Sequence, residues 1–293
     1  MMKYVVLLLA FSSVVHSDCN ILALSGGGSY GAFEVGVTKH LHDTGKRWNI
    51  FTGVSAGSLN AGILSRYNKV EDGISQLENI YSHITSHDIY TLNFPFTKSI
   101  YSTEPLLHLI HEQLKKTEQD KSIYPTFIGM TNFTDGHLSV VNVKSMRDVD
   151  LVYLASSSIP VIFPSTLYKK QYYVDGGLSS DSLISPAVKY CIRNKMYPIT
   201  IDHVSTYDPN ASFGSEHIGI VDSAIRTFRI ISKNFDNIIS KMRFCDVNED
   251  AIAKIHLYYP NQKFPFSILD FDHGNELIEA GYSKHKVMSK ELC

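Results

Sequence analysis

The chain has 293 residues, 44% of them hydrophobic and 19% charged, which is enough apolar material for one large domain or two small ones. Its 27 basic residues are scattered and balanced by 29 acidic ones, for a formal net charge of −2. That balance excludes a nucleic-acid surface, and no nucleic-acid partner is expected.

At the N-terminus, residues 1–17 (MMKYVVLLLAFSSVVHS) set Lys3 before an apolar run, with Val15 and Ser17 at the −3 and −1 places of a cleavage site. This is the pattern of a secretory signal peptide, too short to span a bilayer comfortably; a membrane anchor or a buried first strand are the alternatives. Residues 18–293 are then expected as a secreted or secretory-pathway chain with no transmembrane segment. Asn132-Phe133-Thr134 and Asn210-Ala211-Ser212 are glycosylation sequons. Cys19, Cys191, Cys245 and Cys293 permit two disulfides in any of three pairings, and their spacing is not that of a zinc site.

The pattern then alternates. Strands are predicted over 21–24, 50–54, 126–130, 138–143, 172–174, 198–203 and 254–259, and helices over 31–42, 56–67, 103–116, 182–194 and 217–243. No repeat or linker interrupts the chain, so one domain is expected, with a core over about 20–190 and residues 191–293 completing it. Strand–helix alternation predicts a three-layer α/β/α fold on a largely parallel sheet, with its site beyond the carboxyl ends of strands. The aromatic-rich segment 89–101 (IYTLNFPFTKSIY) is read as a loop packed on the core, the alternative being an acyl-channel wall or a membrane contact. In the last helix, Ile220, Ala224, Phe228, Ile231, Phe235, Ile238 and Met242 form a core-facing stripe.

Both early strand-to-helix handovers carry glycines. Gly26-Gly27-Gly28-Ser29-Tyr30-Gly31 satisfies the dinucleotide pattern G-x-G-x-x-G, but the next strand ends at Ser55, where that pattern requires an acid. The second, Gly53-Val54-Ser55-Ala56-Gly57, is a G-x-S-x-G turn that thrusts a serine out at a helix N-terminus. A serine needs a base. The late histidines 203, 217, 256, 273 and 285 have no setting that marks one out, whereas Asp175 stands at a strand tip before Gly176 and Gly177.

The triple-glycine loop, the G-x-S-x-G turn and the later Asp-Gly-Gly, in that order, resemble the patatin-like phospholipase family. The stretches LASSSIPVIFPS (154–165) and FSILDFDHGNELIEAGY (266–282) are also similar to that family's patterns. The resemblance implies a patatin-like fold and a serine–aspartate dyad that hydrolyses acyl-lipid esters at a membrane or micelle surface, without metal or cofactor. Ser55 would be the nucleophile, Asp175 the base and Gly26, Gly27 and Gly28 the oxyanion hole, with Gly31, Gly53, Gly57, Gly176 and Gly177 supporting the turns. A transacylase with the same dyad and a non-catalytic storage or lipid-binding protein are the alternatives. Many relatives carry a basic residue just before the last loop glycine; Tyr30 stands there, either as a headgroup contact or simply packed.

Overall fold

A strand without polar alternation must be covered on both faces, and the first strand, β1 (Cys19–Leu24), is buried along almost its whole length. It opens a computed structural model that describes residues 17–95, 98–209, 219–239, 244 and 252–291, except for the side chains of 232–239. The run to residue 16, expected as part of a signal peptide, the Asn210 sequon, His217, Met242, Cys245 and Cys293 lie outside the described residues.

After β1 come α1 (Gly31–Asp43), β2 (Ile50–Val54), α2 (Ala56–Leu64), α3 (Val70–His83) and α4 (Ser86–Ile89). A small hairpin of β3 (Thr91–Leu92) and β4 (Tyr101–Ser102) leads into α5 (Glu104–Lys115), whose Pro105 sits in the first turn, where no N–H is needed. Next are β5 (Thr126–Asn132), β6 (Leu138–Asn142), α6 (Asp150–Ser156), β7 (Thr166–Tyr168), β8 (Gln171–Asp175) and α7 (Ile184–Arg193). The chain closes with β9 (Ile199–Val204), α8 (Ile220–Ile239), β10 (Ala253–Pro260), α9 (Gly274–Ser283) and β11 (His285–Glu291).

The main sheet has the order β11-β10-β9-β1-β2-β5-β8-β7, with β6 also paired to β5. Its centre, β10 to β5, is parallel, and its flanks are antiparallel. Alternation along the central strands divides the core. Leu22, Leu24, Phe51 and Val204 pack with α1, α3 and α9, while Ile21, Ala23, Ile50 and Ile201 pack with α7 on the other face. The result is the expected three-layer α/β/α arrangement, and strands from beyond residue 190 join the same sheet. A disulfide, Cys19–Cys191, ties the start of β1 to α7.

One expectation is corrected here. The stripe on α8 does not begin at Ile220, which is 78% exposed; among the described side chains of α8, Ile225 and Phe228 are the buried ones. Asn132 is only 6% exposed and its Nδ2 donates to Gln171 Oε1 at 3.3 Å, which weighs against it as a glycan acceptor.

Candidate active site

Residue pairing in the sheet decides what meets what. Val54 pairs with Gly129 on β5, and the next residue of β5, Met130, pairs with Asp175 on β8. Ser55 leaves the end of β2 and Asp175 ends β8, so the two strands, which flank β5, deliver both side chains at one level of the sheet. Because β8 runs antiparallel to β5, Asp175 enters from the opposite direction to the helix-capping serine.

Ser55 has φ +53° and ψ −127°, a backbone region that L residues avoid, and it caps the N-terminus of α2. The strain is held from several sides. Its N–H donates to Ser156 Oγ at 2.9 Å, and that hydroxyl donates to Gly129 O at 2.7 Å. Gly57 N–H donates to Ser25 O at 3.1 Å. A side chain at Gly53 would run into the Gly57 carbonyl, and one at Gly57 into the carbonyls of Leu24 and Ser25, so the turn closes only with glycines. Gly176 meets the Gly129 carbonyl, Gly177 the Phe228 ring and Gly31 the Tyr81 hydroxyl in the same way.

Asp175 is completely buried. Its N–H donates to Ser158 O and its Oδ1 accepts from Gly177 N–H, both at 2.9 Å. Its Oδ2 has no hydrogen-bond partner among the described residues. Burial raises its pKa from the ordinary 3.8 to about 7, against the opposing pull of Gly177 N–H and then of the Ser55 hydroxyl. Serine and carboxylate therefore sit side by side, close enough to feel one another but short of a closed hydrogen bond.

The glycine loop lies against the serine: a Cβ built on Gly26 would stand 3.1 Å from Ser55 Cβ. Gly28 has φ +56°, and a side chain there would strike the Ile268 carbonyl, so only glycine fits. The three loop N–H groups are not equivalent. Gly26 N–H donates to Asp181 Oδ1 at 3.0 Å, while those of Gly27 and Gly28 have no partner among the described residues. Gly26 is thus a fixed point of the loop, and the two open donors are the next two glycines. Asp181 is wholly buried and carries no motif of its own, so nothing in the sequence singled it out. Ser156 and Ser158, hidden in a run of serines, were missed for the same reason.

Tyr30 packs within the core. It is 3% exposed, its hydroxyl donates to Phe266 O at 2.7 Å, and its ring meets Phe264 edge-on. His203 is buried on β9 with Nδ1 3.1 Å from Ala23 O, and among the described residues no histidine lines the cavity that opens at the serine.

That cavity has an empty volume of about 750 Å³, counting its mouth. It runs from Gly28 and Ser55 between α2, α3 and α5, and its wall is almost wholly apolar: Leu59, Ile63, Ile80, Ile110, Phe163 and Phe271 among others. From Ser55 to Ile63 the α2 wall is about 12 Å long at the helical rise. Asn60 is its main polar interruption and is fully engaged, giving hydrogen bonds to Gly31 O and Glu34 Oε2 and taking one from Tyr81. Burial holds Glu34 well above the ordinary carboxyl range.

The chain matches the family model "Patatin-like phospholipase" over residues 22–188, more than half its length. It is 26% identical over 187 residues to "Probable lipid hydrolase 463L" of Invertebrate iridescent virus 6, covering 58% of this chain and 63% of that relative. Among solved structures it resembles VipD from Legionella pneumophila, at 13% identity and a TM-score of 0.43, over 93% of this chain and 68% of that one. The elbow at Ser55, the aspartate that faces it and the loop beside them all fall within the matched span, and the chain belongs to the patatin-like phospholipase family.

Proposed function

We propose that the protein is a lipid acyl hydrolase that cleaves carboxylic-ester bonds of phospholipids or related acyl lipids, with Ser55 as nucleophile and Asp175 as general base. One observation carries this reading: the apolar cavity begins at Ser55, so an acyl chain lying in it brings its ester to the serine. The relative named as a probable lipid hydrolase supports it.

In this mechanism Asp175, titrating at about 7, takes the Ser55 proton as Oγ attacks the ester carbonyl. Negative charge moves to the carbonyl oxygen, where Gly27 and Gly28 N–H groups receive it, each donor being worth roughly 3 kcal/mol in other hydrolases. The N-terminus of α2 favours the same charge. Asp175 then returns the proton to the departing alcohol. Water, activated by the same carboxylate, splits the acyl-serine, releases the fatty acid and restores Ser55.

We also place the protein in the secretory pathway, a reading supported by the signal-like N-terminus and by the Cys19–Cys191 disulfide. The decisive test is Ser55→Ala. Fatty-acid release and labelling by a fluorophosphonate should both vanish while circular dichroism is unchanged. Retained hydrolysis rejects Ser55 as the nucleophile.

A further inference from the structure

The segment 89–101 does more than pack on the core. Its root lines the cavity or touches the cavity wall: Ile89 is a lining residue, and the Tyr90 ring lies 4.5 Å from Tyr101 and 6.0 Å from Phe163. Its outer part does the reverse, with Leu92 63% and Phe94 79% exposed. A second segment runs beside it. Ile100 and Tyr101 N–H groups donate to the carbonyls of Val161 and Ile162 at 3.0 and 2.9 Å. Val161 is 56% exposed while Ile159 and Phe163 on either side of it line the cavity.

Val161 has φ +71°, a conformation that a β-branched residue adopts only at a cost. Asparagine or glycine would hold this turn with less strain, so the structure keeps an apolar side chain outward against backbone preference. Charge narrows the occupant. Residues 151–168 contain no charged residue, and 89–103 contain only Lys98. A rim that is apolar apart from Lys98 and continuous with an acyl cavity suits a lipid surface, and its single charge offers a protein partner little charge pairing.

We propose that the β3–β4 hairpin and the 159–163 turn form a membrane-docking platform, in which Leu92, Phe94 and Val161 enter the lipid interface and align the cavity mouth with it. This rests on the acyl-hydrolase reading for the use made of the bound lipid, but the binding is measurable by itself.

The test uses flotation with phosphatidylcholine vesicles, on a Ser55→Ala background so that the lipid stays intact. The Leu92→Asp/Phe94→Asp variant should partition at least tenfold more weakly than its parent, and Val161→Asn several-fold more weakly. With Ser55 restored, both should turn over a water-soluble short-chain ester as the parent does, and Val161→Asn should melt no lower than the parent. A parent that does not float, or variants that float equally well, overturn the platform. So does loss of soluble-ester turnover alongside binding, or a dimer that the substitutions dissolve. A protein that floats but hydrolyses no ester refutes the catalytic reading alone, and one that hydrolyses soluble ester but never floats refutes the platform alone.

Discussion

Asp175→Asn separates two consequences of one buried carboxylate. Its pKa is raised from 3.8 to about 7, so the protonated form is the one the folded site prefers. The stability it contributes is fully present below pH 3.8 and is lost as the pH rises through about 7, the reverse of an ion-paired aspartate. Moving from 3.8 to about 7, at about 1.36 kcal/mol per tenfold change in proton affinity, sets a ceiling of about 4 kcal/mol on the cost of ionisation. Asparagine keeps an oxygen to accept from Gly177 N–H and never ionises, although its amide must find an acceptor near Ser55. About half the ceiling, roughly 2 kcal/mol, is therefore the expected gain at pH 8. For a domain of this size that corresponds to a melting temperature roughly 4–8 °C higher. The variant should hydrolyse no ester, and its thermal advantage should shrink steadily as the pH falls from 8 towards 4. Differential scanning calorimetry across that range is the assay. A pH-independent difference, or a variant less stable at pH 8 than at pH 4 relative to the parent, refutes the raised pKa. Parental kcat/KM should rise with pH through about 7 for the same reason, since only the ionised carboxylate accepts the serine proton.

Asp181→Ala should leave Gly26 N–H buried without its acceptor, costing about 1–3 kcal/mol and lowering kcat at least tenfold with KM little changed; Asp181→Asn, which keeps an acceptor oxygen, should recover most of both. Ile63→Trp should fill the inner cavity, so that kcat/KM for long-chain esters falls at least tenfold while short-chain esters react as before; equal loss on both would mean that the acyl chain lies elsewhere. Cys19→Ser/Cys191→Ser opens a link between residues 172 apart, worth about 5 kcal/mol by loop entropy, and should lower the melting temperature while leaving the turnover of folded protein intact.

Local signals in the sequence were strong where a residue type has one physical use. Strand β2 was legible to the residue because an apolar run meets a glycine turn, and the end of α1 because Gly45, at φ +96°, lies just beyond it. Strand direction was not legible: nothing in Gln171–Asp175 says that it runs antiparallel to β5, since that follows from its partner. Helix α3 was overlooked although Val70, Ile74, Leu77 and Tyr81 recur at helical spacing, because acidic residues interrupt them. The serine, the aspartate and the glycines could be picked out because each stands in a turn that few other residues permit. Asp181, Ser156 and Ser158 act through hydrogen bonds to the main-chain N–H groups of Gly26, Ser55 and Asp175, and such bonds leave no mark on neighbouring residue types. The cysteine pairing needed the sheet, which brings the start of β1 beneath α7.

Ser156 and Ser158 fasten opposite halves of the proposed dyad, one through its hydroxyl to Ser55 N–H and the other through its carbonyl to Asp175 N–H. The gap between the proposed nucleophile and base is therefore held by three consecutive residues in addition to the register of the sheet. A single residue inserted between them would swing one fastening away and open the gap, whereas insertions in the exposed 134–137 turn would leave it untouched. Tolerance to length change should consequently fall sharply at this short stretch, outside the turns that carry Ser55 and Asp175.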